Sequence, residues 1–328
     1  VYKARDKSLN RIVAVKILSP SVLEKPTILT RFQKEMQVLA KMSHPNIVKL
    51  YTYGKVGKIY YFVQEYVKGR DLQEILDSQG PFSPTEVIEL AKCMADAFVH
   101  YHERGVIHRD LKPANIMKDH EGVYKIMDFG LVRDEEETRL TETGGIVGTL
   151  AYIPPDVLEG AEPSPQMDVY QLGCILYELL SGEMLLNDKN YLRAGFKRLK
   201  TKLKELPDLP KALDPKLEAA IRLSLHPDPE KRLHRGEQLL HILEGASPQE
   251  VSSLSPRVPE KHPSPSMRIA LVKSASTTIV SRFTRLLSRN GEVKPAHGPA
   301  LLVVAILLFL SYLVVDEPLY YSEDPSYF

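Results

Sequence analysis

The sequence predicts an α+β fold of two unequal lobes, a small β-rich one carrying one helix and a larger helical one. A linker and one C-terminal transmembrane helix follow. Three observations predict this. β-Branched and aromatic runs concentrate before residue 67, helical periodicity dominates from Gly69 to about Gly245, and an 18-residue stretch near the end lacks any charge.

With 328 residues, 43% of them hydrophobic, the chain can bury the core of one large or two small domains. Its 43 basic and 42 acidic residues leave a net charge of +1, so nothing in the balance points to nucleic acid. The two cysteines, Cys93 and Cys174, sit inside apolar helical patterns as core fillers, which suits a reducing, cytosolic compartment. The chain starts at Val1 without the charged, apolar and small-residue order of a signal peptide, so an N-terminal portion is expected to be missing.

Residues 1–67 form the first lobe. "RIVAVKIL" (11–18) and "KIYYFVQEYV" (58–67) read as strands. Between them, Ile28, Phe32 and Leu39 recur at helical spacing, and Glu35 falls on the same stripe. An inward carboxylate requires a cation opposite it. Residues 68–245 form the second lobe. In "FSPTEVIELAKCMADAFVHYH" (82–102), Ser83 and Glu86 make a capping box and Pro84 takes the first helical position. "DVYQLGCILYELLSG" (168–182) is apolar nearly all round, as a helix enclosed by protein would be.

Residues 246–297 read as a linker, Pro- and Ser-rich at first and then basic. "GPALLVVAILLFLSYLVV" (298–315) would measure about 27 Å as a helix, enough to cross a hydrocarbon core of about 30 Å. Six bases against the single acid Glu292 precede it over 266–298, and a short acidic tail, 316–328, follows. The positive-inside rule then puts the lobes in the cytoplasm. Ile279, Val280, Phe283, Leu286 and Leu287 share one helical face just before the span, suited to lying on anionic membrane lipid.

The chemistry concentrates in "VIHRDLKPANIM" (106–117). It is preceded by "VAVK" (13–16) and by Glu35, and followed by "DFG" (128–130), "GTLAYIPPDVL" (148–158) and "DPEKR" (228–232). In this order the set resembles the protein-kinase family over about residues 1–245. The resemblance implies a bilobal protein-kinase-like fold with ATP and Mg²⁺, or Mn²⁺ in its place, between the lobes. The family's Gly-rich loop, which would precede Val1, is absent from this sequence.

By that resemblance Lys16 holds the α- and β-phosphates and Glu35 pairs with Lys16. Asp128 and Asn115 are the metal ligands, oxygen donors of the kind a hard cation takes. Asp110 orients the acceptor hydroxyl, and Lys112 neutralises the γ-phosphate. Val1 and Ala14 cover the adenine from above, Met117 lies below it, and Glu65 to Val67 supply backbone hydrogen bonds. Gln64 stands at the gate to the rear pocket. His108, Phe129, Leu39 and Leu50 stack as a packing column. Asp168 ties the catalytic loop, and Asp156 pairs with Arg232, through a side chain one methylene shorter than the family's glutamate.

Lys112 two residues after Asp110, together with Thr149, is the serine/threonine-kinase arrangement, so protein Ser or Thr hydroxyls are the expected substrates. Ala114 argues against a basic consensus. Arg109 before Asp110 would answer a phosphate on Thr141 or Thr143. Those threonines are placed like the autophosphorylated pair of bacterial transmembrane Ser/Thr kinases, which implies a homodimer acting in trans and a bacterial inner membrane. A pseudokinase scaffold is the competing expectation, and all five of Lys16, Glu35, Asp110, Asn115 and Asp128 being present weighs against it.

Overall fold

The β-branched run of RIVAVKIL builds strand β2 (Arg11–Leu18), the middle strand of the N-terminal sheet, with Val13, Ala14, Val15 and Leu18 buried. The structure is a computed structural model that describes residues 1–18, 26–57, 59–129, 151–185, 209, 213–252 and 313–318. Strand β1 (Tyr2–Asp6) pairs antiparallel with β2, setting Ala4 opposite Val13. On the other side β4 (Ile59–Glu65) sets Phe62 opposite Lys16, and β3 (Leu50–Val56) lies beyond β4. Helix α1 (Pro26–Leu39) buries Phe32, Met36 and Leu39 in the main core.

Strand β8 (Leu313–Pro318) pairs antiparallel with the outer side of β1. An edge strand offers unpaired N–H and C=O groups to any extended segment, and β-branched Val314 and Val315 favour that conformation. The last three residues of the expected span, Leu313 to Val315, are therefore strand and not helix. Residues 298–312 lie outside the described residues. Among the described residues no helix is long and apolar enough to cross a membrane.

The second lobe opens with a small sheet of β5 (Gly69–Asp71), β6 (Ile116–Asp119) and β7 (Tyr124–Ile126). Asp71 then caps helix α2 (Leu72–Gln79), accepting from Glu74 N–H at 2.9 Å. Helix α3 (Pro84–His102) starts at the capping box that its sequence announces, with Ser83 and Glu86 exchanging both bonds. A short 3₁₀ turn (Pro113–Asn115) leads into β6. Helices α4 (Pro155–Leu158), α5 (Pro165–Ser181), α6 (Pro215–Ser224), α7 (Gly236–Glu244) and α8 (Pro248–Ser252) follow.

Every α5 residue from Gln166 to Leu180 is buried. Each of its fully buried leucines contributes about 2 kcal/mol by area removed from water. Helix α7 crosses α3 so closely that a Cβ at Gly236 would stand 2.4 Å from Ala95 O, so only glycine fits there.

The segment after α1 fastens the two lobes together. Asn46 Nδ2 donates to Tyr124 O at 2.8 Å, Ile126 N to Asn46 O at 2.9 Å and Val48 N to Ile126 O at 2.9 Å. His44 Nε2 meets Asp96 on α3 at 3.1 Å.

Asp156 reaches Arg232 Nη2 at 2.8 Å despite its short side chain. The guanidinium is buried, lies against the Tyr170 ring and also donates to His226 O. Asp156→Ala would strand that charge, and should lower unfolding free energy by about 3 kcal/mol in a urea titration.

Candidate active site

The site grows from one buried carboxylate. Asp168, in the first turn of α5, accepts from Tyr101 Oη (2.8 Å), His102 Nε2 (2.9 Å), His108 N (2.9 Å) and Arg109 N (3.0 Å). Gln171, one turn later on the same face, accepts from Leu111 N at 3.1 Å and donates to Arg109 O at 3.2 Å. Together they hold Arg109 at φ +69°, a left-handed conformation that non-glycine residues seldom adopt. Such backbone persists only when its surroundings over-determine it. Burial raises the Asp168 carboxyl, but the His102 hydrogen bond, the nearby imidazoles and the His108 N–H outweigh it and hold the group below the usual carboxylate range.

His108 is fully buried. Its Nε2 donates to Met127 O at 2.9 Å and its Nδ1 accepts from Asp110 N at 3.3 Å, which fixes the neutral Nε2–H tautomer. Burial pushes its pKa below the ordinary histidine value. The unfolded chain takes up that proton near pH 6.5, so His108 contributes stability above that pH, lost as the pH falls. The unfolding midpoint, followed by circular dichroism, should therefore drop between about pH 7.5 and about pH 5.5. The drop should be smaller in His108→Phe.

The loop presents Asp110 and Asn115 to each other. Asn115 Nδ2 donates to Asp110 O at 2.7 Å and to its Oδ2 at 3.2 Å. Lys112 starts the 3₁₀ turn, half-buried, and its carbonyl accepts from Asn115 N. Asn115 O accepts from Met127 N at 2.9 Å, coupling this loop to the strand that delivers Asp128. Asp128 stands at φ +53°, a second left-handed residue in the site.

Across the cleft, Lys16 on β2 reaches Asp128 Oδ2 at 3.0 Å. Glu35 is placed differently from expectation. Its Oε1 meets Arg109 Nη1 at 2.9 Å, so the Lys16–Glu35 pair is replaced by two others, Lys16–Asp128 and Glu35–Arg109.

Around these groups lie the walls. Ala14 is buried opposite Gln64, and Val1 is half-buried just ahead of β1. Met117 and Val67 form a buried cluster with Val48 and Met127. Glu65 N donates to Lys49 O, and its carboxylate pairs with Lys125 at 3.0 Å. Phe129 meets His108 with ring centroids 4.7 Å apart and planes tilted by 43°, and it packs against the core that contains Leu39 and Leu50. Thr141, Thr143 and Thr149 lie outside the described residues. Sequence reasoning gave no site role to Tyr101, His102, Gln171 or Asn46. Their only signal was spacing, Gln171 lying three positions from Asp168.

The donor set suits a hard cation. Asp128 Oδ1 is buried without a hydrogen-bond partner among the described residues, and Asn115 offers an amide oxygen. Among the described residues no three His, Cys, Asp or Glu side chains form a closed metal site. Mg²⁺ commonly takes one or two protein oxygens and completes its shell with phosphate and water.

The family model for the protein kinase domain matches residues 1–242. The chain is 40% identical over 188 residues to the serine/threonine-protein kinase PknB of Mycobacterium leprae, which is 56% of this chain and 30% of that protein. It is 36% identical over 199 residues to the serine/threonine-protein kinase PrkC of Bacillus subtilis, covering 61% and 31% respectively. Against PknB of Mycolicibacterium smegmatis it is 34% identical over 260 residues, covering 76% and 41%. The matched regions span less than half the length of each of these relatives.

Proposed function

This chain belongs to the protein kinase family, in its eukaryotic-like serine/threonine branch, and we propose that it transfers the γ-phosphoryl group of ATP to Ser or Thr hydroxyls of proteins. The observation that carries the reading is the meeting of Lys16 with Asp128 at 3.0 Å beside the Asp110–Asn115 pair. Lys16 suits the α- and β-phosphates, and Lys112 the γ-phosphate. Asp128 and Asn115 would hold Mg²⁺, which supplies charge neutralisation on the phosphates when bound.

In the transfer, the bond from the γ-phosphorus to its bridging oxygen breaks and one to the acceptor oxygen forms. Asp110 orients the acceptor hydroxyl and takes its proton. Val1, Ala14, Val67 and Met117 provide apolar walls for the adenine, and Glu65 to Val67 its backbone partners.

Activation follows from the ion pairs. A phosphate on Thr141 or Thr143 would bring about −1.5 to −2 charges and compete with Glu35 for Arg109. Glu35, on leaving Arg109, would then meet Lys16. Placing that phosphate in trans requires two copies to meet. Anchoring by residues 298–315, with the basic stretch before them on a bacterial inner membrane, rests on hydropathy and charge order alone and requires Leu313–Pro318 to leave the sheet edge that they occupy beside β1.

The test is radiolabel transfer from ATP to a protein acceptor, followed by phosphoamino-acid analysis. Asp110→Asn should lower incorporation by about 10²-fold or more, with phosphoserine and phosphothreonine as the wild-type products. Equal incorporation by both forms would leave the scaffold reading in its place.

A further inference from the structure

We infer that Gln64 selects the base of the nucleotide, its carboxamide oxygen accepting a hydrogen bond from the 6-amino group of ATP. This makes Gln64 a specificity-determining residue for the proposed reaction, and the identity of the ligand rests on the kinase reading. The starting point is an anomaly in the sheet. Gln64, next to last in β4, is only 9% exposed, and its carboxamide has no hydrogen-bond partner among the described residues. Unpaired buried amides are few in native proteins, and a methionine of similar length would fill the same space without the cost of desolvation.

The register fixes which way the side chain faces. Residues directly opposite in an antiparallel pair share one face of the sheet. Gln64 lies opposite Ala14 and Phe62 opposite Lys16, so all four project from the face on which Lys16 reaches Asp128. The space behind the carboxamide is taken. Phe62 and Leu50, the latter opposite Gln64 on β3, are buried in the main core. The opening that Gln64 retains is therefore toward the cleft.

That placement suits one group of the nucleotide. Glu65 to Val67, proposed as the backbone partners of the adenine, follow Gln64 directly, so the base edge that meets them also meets the carboxamide. The 6-amino group on that edge carries two hydrogens. A backbone carbonyl takes one, and within apolar walls the second needs an acceptor of its own. Gln64 Oε1 supplies it. An aliphatic residue at position 64 would leave that hydrogen unpaired, and a purine without the amino group would leave the carboxamide unpaired. A site built in this way discriminates against the analogue that lacks the donor.

The test is a cycle of two nucleotides and two proteins, read by isothermal titration calorimetry on the full chain with Mg²⁺. The nucleotides are ATP and purine riboside 5′-triphosphate, which differ only in the 6-amino group. The proteins are wild type and Gln64→Met, which keeps the length of the side chain and removes the amide. Wild type should prefer ATP, and that preference should be about tenfold smaller in the variant, with the loss falling on ATP. The melting temperature of the variant should not fall, because the unpaired amide adds nothing to the fold. An equal preference in the two proteins would overturn the inference. So would a variant that loses affinity for both nucleotides alike, the mark of a changed cleft shape, or a wild type that shows no preference.

Steady-state transfer separates this inference from the reading beneath it. The change should appear as a KM for ATP raised about tenfold in Gln64→Met, with the KM for the analogue unmoved. Absence of transfer from either nucleotide, with the calorimetric preference intact, would count against the kinase reading and leave Gln64 as the base selector of a nucleotide-binding protein.

Discussion

Asp128→Asn should reduce phosphoryl transfer by about 10³-fold while leaving the fold in place. The substitution isolates charge from shape. Position 128 sits at φ +53°, and asparagine is among the residues that tolerate that conformation, so the backbone has no reason to move. What changes is that the amide no longer neutralises Lys16 at 3.0 Å, and the buried Oδ1 loses the negative charge a divalent cation needs. The measurement is kcat/KM for ATP at several Mg²⁺ concentrations. Activity should fall and the Mg²⁺ half-saturation point should rise. Retention of activity within tenfold, with an unchanged Mg²⁺ dependence, would show that Asp128 is not the metal ligand.

The second large effect lies at Asp168. Asp168→Ala would orphan four donors at a buried position, two of them backbone N–H groups of the catalytic loop. Each stranded donor costs about 1–3 kcal/mol, and because the four share one acceptor their sum is not additive. A loss of about 5 kcal/mol is expected, comparable to the whole stability of many domains. Urea unfolding should therefore show a greatly lowered midpoint. Asp168→Asn retains one acceptor oxygen and should fold, yet lose transfer activity, because Arg109 is no longer held at its left-handed conformation. A variant with normal activity would show that the loop does not depend on Asp168.

Much of the architecture was legible because it is local. The capping box at Ser83 and Glu86, the proline after it and the all-round apolar α5 are written within single turns, and the structure carries all three. Strand β2 is likewise announced by its own residues, although β4 ends at Glu65, two residues before its apolar run does. The side chains proposed to act in transfer stand out in the sequence as a motif order, since residue types at fixed separations constrain chemistry more tightly than fold.

Pairings were harder to read. Helical spacing correctly turned Glu35 inward, but it could not choose between Lys16 and Arg109. Those cations lie 19 positions before and 74 positions after it, and the choice depends on how α1 lies on the sheet. Gln171 and His102 were missed because a buried hydrogen bond to backbone leaves no compositional mark. Hydropathy counted Leu313 to Val315 into a membrane helix, whereas an open sheet edge claims them.

The fastening after α1 sets how that helix can move. Asn46, Ile47 and Val48 are pinned to β7, so the C-terminal end of α1 is tied to the larger lobe through the short stretch that follows Leu39. Glu35 lies one turn inside that tether, so an exchange of Arg109 for Lys16 as its partner is expected to require only a tilt of α1 about its C-terminal end.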